Sequence, residues 1–211
     1  MNIIDLTHSL EPGMPVYPGT PPPLFQELFS FADQGFRERQ ITLTTHTGTH
    51  LDVPSHILER GDDLDSFSVQ HFAGPAAVIS LNCSPTTRLA IGDLEAHLPS
   101  LRGCDFLLLS SGWSRYWGSE KYFTGYPVLS MEAASALAGL GLKGIGVDMI
   151  SVDDPDAHDL PVHRIFLEKR IILVENLANL EQLPPVGFDF FCMPLKLSHS
   201  EASPVRAIAI I

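Results

Sequence analysis

Three imidazoles and a carboxylate fall within eleven residues of this chain, His46-Thr-Gly-Thr-His50-Leu-Asp52-Val-Pro-Ser-His56, all at even positions. Side chains alternate faces along an extended backbone, so residues 46, 50, 52 and 56 are expected on one side. Thr47, Thr49, Leu51, Val53 and Ser55 take the other face and suit packing against a sheet. Nitrogen and oxygen donors gathered on one face are what a divalent metal ion needs. The threonines, Gly48 and Pro54 argue against a helix, and with it against the His-Glu-x-x-His arrangement of helical zinc proteases. Four extended residues span roughly 13 Å, so His46 and His50 meet at one ion if Gly48 lets the chain bend. His56 is a further stretch away, roughly 33 Å of extended chain from His46. Either Pro54 turns it back, or His56 has a different task. The donors include no cysteine, and three ligands plus an open position describe a catalytic site rather than a structural one.

The elements that must position these residues are short. Apolar runs at 3–6, 41–45, 76–81, 106–110, 144–147, 171–174 and 206–211 read as strands, the second leading straight into the histidines. A proline-rich stretch over 11–23 reads as an ordered extended loop. Ser130 as N-cap and Gly139 as terminator bracket one helix, and Pro161 opens another over 161–169. Gly139-Leu-Gly141-Leu-Lys-Gly144 spells a dinucleotide fingerprint, but it follows a helix and precedes a strand, the reverse of the order that aims a helix N-terminus at phosphate. Strands outnumber helices in irregular order, which predicts a mixed-sheet α/β domain spanning 1–211.

Bulk composition narrows the function classes. The 211 residues are 45% apolar, enough for one substantial core. A formal net charge of −12, from 25 acids against 13 bases, speaks against a nucleic-acid partner. No apolar run approaches the roughly 20 residues of a membrane helix. The opening residues lack the basic start and apolar stretch of a secretion signal, so a cytoplasmic protein is expected. Cys83, Cys104 and Cys192 read as buried core thiols, and the Asn82-Cys-Ser84 sequon as accidental. Asp153-Asp-Pro-Asp-Ala-His-Asp159 lacks the spacing and closing glutamate of a calcium loop and reads as a solvated turn, with His158 no ligand.

The histidine segment resembles the His-x-Gly-Thr-His-x-Asp-x-Pro-x-His signature of the cyclase-like metal-dependent hydrolases, which include bacterial kynurenine formamidases and isatin hydrolases. Val16-Tyr-Pro-Gly-Thr-Pro-Pro, Gly146-Val-Asp148 with Ser151-Val-Asp, and Ala202-Ser-Pro-Val-Arg-Ala extend the likeness over the chain. The resemblance implies the swivelling β/β/α-like fold of that family. It implies a first ion on His46, His50 and Asp52, and a second that shares Asp52 with His163 and Glu175. His56 then falls at the proton-transfer position, and Tyr17 at an aromatic position of the substrate pocket. Without the resemblance, Glu175 would read as a solvent-facing acid at a strand end.

The implied activity is hydrolysis of a non-peptide C–N bond in a small amide or cyclic amide. Zinc or manganese suits the donors, with one or two ions per subunit, and a homodimer or homotetramer is implied. Two departures widen the substrate range beyond N-formylkynurenine: Val162-His163 replaces a pair of adjacent histidines, and Thr49 an alanine. The aromatic, basic-tipped segment 111–123 resembles the broader hydrolase branch and is expected to border the pocket of its own subunit or a neighbour's. A lyase acting through an enolate, or a non-catalytic metal or small-molecule binding protein, are the rival readings.

Overall fold

Most of the apolar runs become strands, and the strands close on themselves. The computed structural model of the chain describes residues 1–81 and 84–211. In chain order it contains β1 (Ile3–Asp5), β2 (Leu24–Phe29), α1 (Phe31–Gln34), β3 (Glu38–Thr42), β4 (His50–Asp52), β5 (Ala73–Ser80), β6 (Arg88–Leu89) and β7 (Phe106–Ser110). There follow β8 (Val128–Leu129), α2 (Met131–Ala138), β9 (Gly144–Val147), α3 (Pro161–Leu167), β10 (Ile172–Glu175), β11 (Phe188–Pro194) and β12 (Ala202–Ile210). Single-turn 3₁₀ segments fill many of the connections.

Eight strands form one mixed sheet in the order β1-β12-β11-β5-β7-β9-β10-β4, and β4 pairs again with β12. That second pairing, Asp52 opposite Ala202 and His50 opposite Pro204, rolls the sheet into a barrel-like form. Strands β5, β7, β9 and β10 run parallel and are apolar on both faces, as strands covered on both sides must be. Alternation divides their side chains between two cores. Phe106, Leu108, Ile172 and Val174 join Leu51 and Phe190 inside the barrel. Leu107, Leu109, Ile145 and Leu173 pack outside against Ala134 and Leu137 of α2 and Phe166 of α3. The interior is tight: a Cβ on Gly146 would stand 2.5 Å from Leu108 and 2.6 Å from Leu177.

The α/β mixed sheet agrees with the sequence, as do the Ser130 cap, whose hydroxyl accepts from the Ala133 N–H, and the glycines that turn α2 into β9. Several boundaries differ. Strand β12 starts at Ala202, well before the expected 206, because its early residues pair with β4 and β11. The 41–45 run does not lead into the histidines: β3 ends at Thr42 and pairs only with β2, in a hairpin separate from the main sheet. Cys192 is buried as expected, but Cys104 is only partly so. The expectations for Asn82 and Cys83 lie outside the described residues. Among those described, no helix is long and apolar enough to cross a membrane.

Candidate metal centre

The histidine segment is not one extended run. Only His50–Asp52 is strand; residues 46–49 form a turn with Gly48 at φ 68°, and Pro54–His56 is a 3₁₀ turn. That left-handed conformation favours glycine, and a Cβ there would press on the ends of the Leu10 and Met14 side chains at 2.7 and 3.1 Å. Alternation along a strand therefore accounts for His50 and Asp52 alone. His46 and His56 arrive through turns on either side, which bring their rings to 4.3 Å between centroids, far inside the extended-chain distance.

Sheet pairing supplies the next donor. Glu175, the last residue of β10, lies directly opposite His50, and cross-strand partners share a face. That face looks out from the barrel toward α3, whose third residue is His163. His50 Nε2 stands 3.5 Å from Asp52 Oδ1 and 3.6 Å from Glu175 Oε2. His163 Nε2 stands 3.3 Å from Glu175 Oε1 and 3.7 Å from Asp52 Oδ2. His46 Nδ1 is 2.8 Å from Asp52 Oδ1, and His56 joins the same group of ligand atoms. Glu175 is 5% exposed, on the floor of the cavity beside His50 rather than facing solvent.

Asp52 Oδ1 and Glu175 Oε1 are fully buried and accept no aligned hydrogen bond; the short His46 contact is ion-pair proximity without that alignment. Buried carboxylate oxygens without donors are costly. Oxygens and imidazole nitrogens converging at these distances are the donor set a divalent cation takes, so the residues fit such an ion.

The protonation pattern follows. Burial pulls His163 down, but Asp153, Asp52 and Glu175 outweigh it and hold the ring well above its ordinary range. Burial also opposes a charged His46, yet Asp52 beside it, with Glu175 and Glu201, raises the ring overall. Asp52 stays well below the usual carboxylate range despite its burial, because His50, His46 and His163 surround it. His56 goes the other way: burial brings it down to about 4 against the pull of Asp52, with His46, His163 and His50 adding to the fall. Its ring is neutral at pH 7.

The solvated-turn reading of 153–159 needs correction at its first residue. Asp153 is 2% exposed, and one carboxylate oxygen lies 2.7 Å from His163 Nδ1. The same carboxylate accepts the backbone N–H groups of Val162 at 2.8 Å and His163 at 2.9 Å, capping α3 where Leu160 offers no cap. The orientation of the His163 ring and the start of its helix thus rest on one acid. Ser151-Val-Asp153 carried the signal in the sequence; its role did not show there. His158 is exposed on the cavity wall and belongs to none of the ligand groups among the described residues. Glu201 was also missed: it accepts from Thr45 Oγ1 at 2.5 Å and stands 3.5 Å from His46 Nε2.

Above the donors opens a cavity of about 530 Å³, walled by Pro15, Val16, Tyr17, Ile150 and Leu160. Tyr17 borders it at 46% exposure. Segment 111–123 does not line it, and approaches the donors from behind through the buried Tyr122.

Residues 4–154 match the model of the Cyclase family, described as "Putative cyclase". The chain belongs to the cyclase family. It is 31% identical to the kynurenine formamidase of Salinibacter ruber, over 99% of this chain and 97% of that one. It is 32% identical to the kynurenine formamidase of Geobacillus thermodenitrificans, over 97% and 95%. Isatin hydrolase A from Labrenzia aggregata superposes on this cyclase-family chain with a TM-score of 0.86 at 26% identity, covering 100% of it and 93% of the hydrolase.

Proposed function

We propose that this single-domain protein is a cytoplasmic metal-dependent hydrolase of a non-peptide C–N bond in a small linear or cyclic amide. The observation that carries the reading is the buried quartet His50, Asp52, His163 and Glu175, with two orphaned carboxylate oxygens on a cavity floor. His46, His50 and Asp52 would hold one divalent ion, zinc or manganese by donor chemistry, and His163 and Glu175 with Asp52 would hold a second. When bound, such an ion supplies Lewis acidity for a carbonyl oxygen and lowers the pKa of water toward about 7.

The chain's own residues do the rest. His56, neutral and within reach of the same donors, takes the proton of the attacking water and delivers it to the leaving nitrogen. A C–O bond forms as the C–N bond breaks, giving an acid and an amine. Tyr17 and its apolar neighbours hold the ring of the substrate. No Lys or Arg lines the cavity among the described residues, so a neutral aryl amide or lactam suits it better than a zwitterionic amino acid. Formylkynurenine is then the weaker candidate beside isatin-like lactams.

His56→Ala is expected to keep its metal by elemental analysis while losing about 10²- to 10⁴-fold in turnover, the usual contribution of a positioned base. Loss of metal from that variant makes His56 a ligand instead. The test of the function is a panel of formylkynurenine, isatin and formanilides with zinc- or manganese-loaded protein in ¹⁸O-water. Hydrolysis incorporates solvent oxygen; turnover without incorporation indicates a lyase, and no turnover across the panel a binding protein.

The same proposal includes a homodimer or homotetramer. The β2–β3 hairpin stands off the main sheet with Leu24 and Phe31 each 63% exposed and Phe36 and Ile41 each 50% exposed, more apolar surface than a free arm carries comfortably. Light scattering of the purified protein checks this, and a monomeric mass overturns it.

A further inference from the structure

Asn176 follows Glu175 directly and is held in the left-handed conformation at φ 58° while almost wholly buried. Its backbone N–H donates to the Met149 carbonyl, and its carbonyl accepts from Thr49 Oγ1 at 2.6 Å. Its side-chain amide faces two further places. Nδ2 donates to the Gly48 carbonyl at 2.9 Å, and Oδ1 accepts from Tyr122 Oη at 2.8 Å. The amide orientation follows from its partners: the Gly48 carbonyl can only accept, so the NH₂ group must face it.

The Gly48 carbonyl has a second visitor, His50 Nδ1, at 2.9 Å. Asn176 Nδ2 and His50 Nδ1 are themselves 3.4 Å apart, two donors side by side on the two lone pairs of one oxygen. With an N–H fixed at Nδ1, His50 keeps a bare lone pair at Nε2, the nitrogen that faces Asp52 and Glu175. Tyr122 reaches this cluster from segment 111–123, fully buried with its ring edge-on to Trp117.

We propose that Asn176 is a positioning residue that locks His50 in its Nδ1-protonated tautomer, and that Tyr122 acts on the metal centre only through Asn176. This rests on the reading of His50 as a metal ligand. It assigns segment 111–123 a task at the back of the site that no pocket contact would reveal.

Asn176→Gly removes the amide without forcing a side chain into the left-handed region, and Tyr122→Phe removes one hydroxyl while keeping the ring. Zinc affinity is measured by competition with a chromophoric chelator, and the His50 tautomer by ¹⁵N NMR of the metal-free protein. Asn176→Gly is expected to weaken zinc binding about 10- to 100-fold and Tyr122→Phe about fivefold. The double variant should bind no more weakly than Asn176→Gly alone, and both single variants should mix the His50 tautomers. Wild-type affinity in folded Asn176→Gly overturns the proposal, as does a Tyr122→Phe effect that persists in the Asn176→Gly background. Should Asn176→Gly not fold, an unshifted His50 tautomer in Tyr122→Phe overturns it. His50→Ala separates the two levels. If it binds zinc as tightly as the wild type, ligand reading and proposal both fall; if it is weakened and Asn176→Gly is not, only the proposal does.

Discussion

Asp52→Asn is expected to leave the protein folded, without bound metal and about a thousandfold slower. Asp52 stands in both proposed ligand groups, 2.8 Å from His46 Nδ1, 3.5 Å from His50 Nε2 and 3.7 Å from His163 Nε2. Asparagine keeps the shape and removes the charge, so neither group retains the anion that both need. The rate follows from arithmetic: Lewis-acid stabilisation of several kcal/mol, taken as about 4, is roughly 10³ in rate. A second readout needs no substrate. A ligand at a hundredfold excess over its Kd stabilises a fold by about 2.7 kcal/mol, so zinc should raise the wild-type Tm and leave that of Asp52→Asn unmoved. A Tm that still climbs with zinc in the variant would remove Asp52 from the ligand set.

Asp153→Ala is expected to carry the largest stability loss of any single substitution near the site. It strands the Nδ1 of a buried imidazole and two backbone N–H groups at the start of α3, partners now held at 2.7 to 2.9 Å. Breaking a buried charge-assisted arrangement of this kind costs about 3–5 kcal/mol. At about 2–4 °C per kcal/mol for a chain of this size, Tm should fall by roughly 10 °C. Metal affinity should drop about 10- to 100-fold as His163 loses its orienting partner. Asp153→Asn keeps an acceptor, so its Tm should sit between the wild type and Asp153→Ala. Wild-type Tm and zinc affinity in Asp153→Ala would show that α3 and His163 do not depend on it.

How much of this the sequence disclosed depends on how local each cause is. The motif of His46, His50, Asp52 and His56 was legible because its donors sit within one short segment, whatever its backbone does. The backbone itself was misread: β-branched residues between the histidines suggest extension, but Gly48 and Pro54 turn the chain at both ends. Strands β7 and β9 announced themselves as continuous apolar runs. Strand β11 did not, with Asp189 interrupting it and Pro194 ending it, and the β2–β3 hairpin offers no buried face to leave a pattern. Asp153 and Asn176 were illegible in a stronger sense. Their tasks exist only where α3 and the Gly48 turn have already been folded against them, and neither residue type announces a tertiary partner.

Strand β4, which carries two of the histidine motif's donors, is paired with β10 and with the start of β12. Both neighbours are made long after it. On the ribosome, therefore, the histidine segment emerges with no strand to hold it, and the donors at 163 and 175 have yet to be synthesised. The cluster around Asp52 can assemble only once β10 and the start of β12 have been made. An ion that met the nascent histidines before β10 and β12 existed would meet only unpaired, flexible imidazoles.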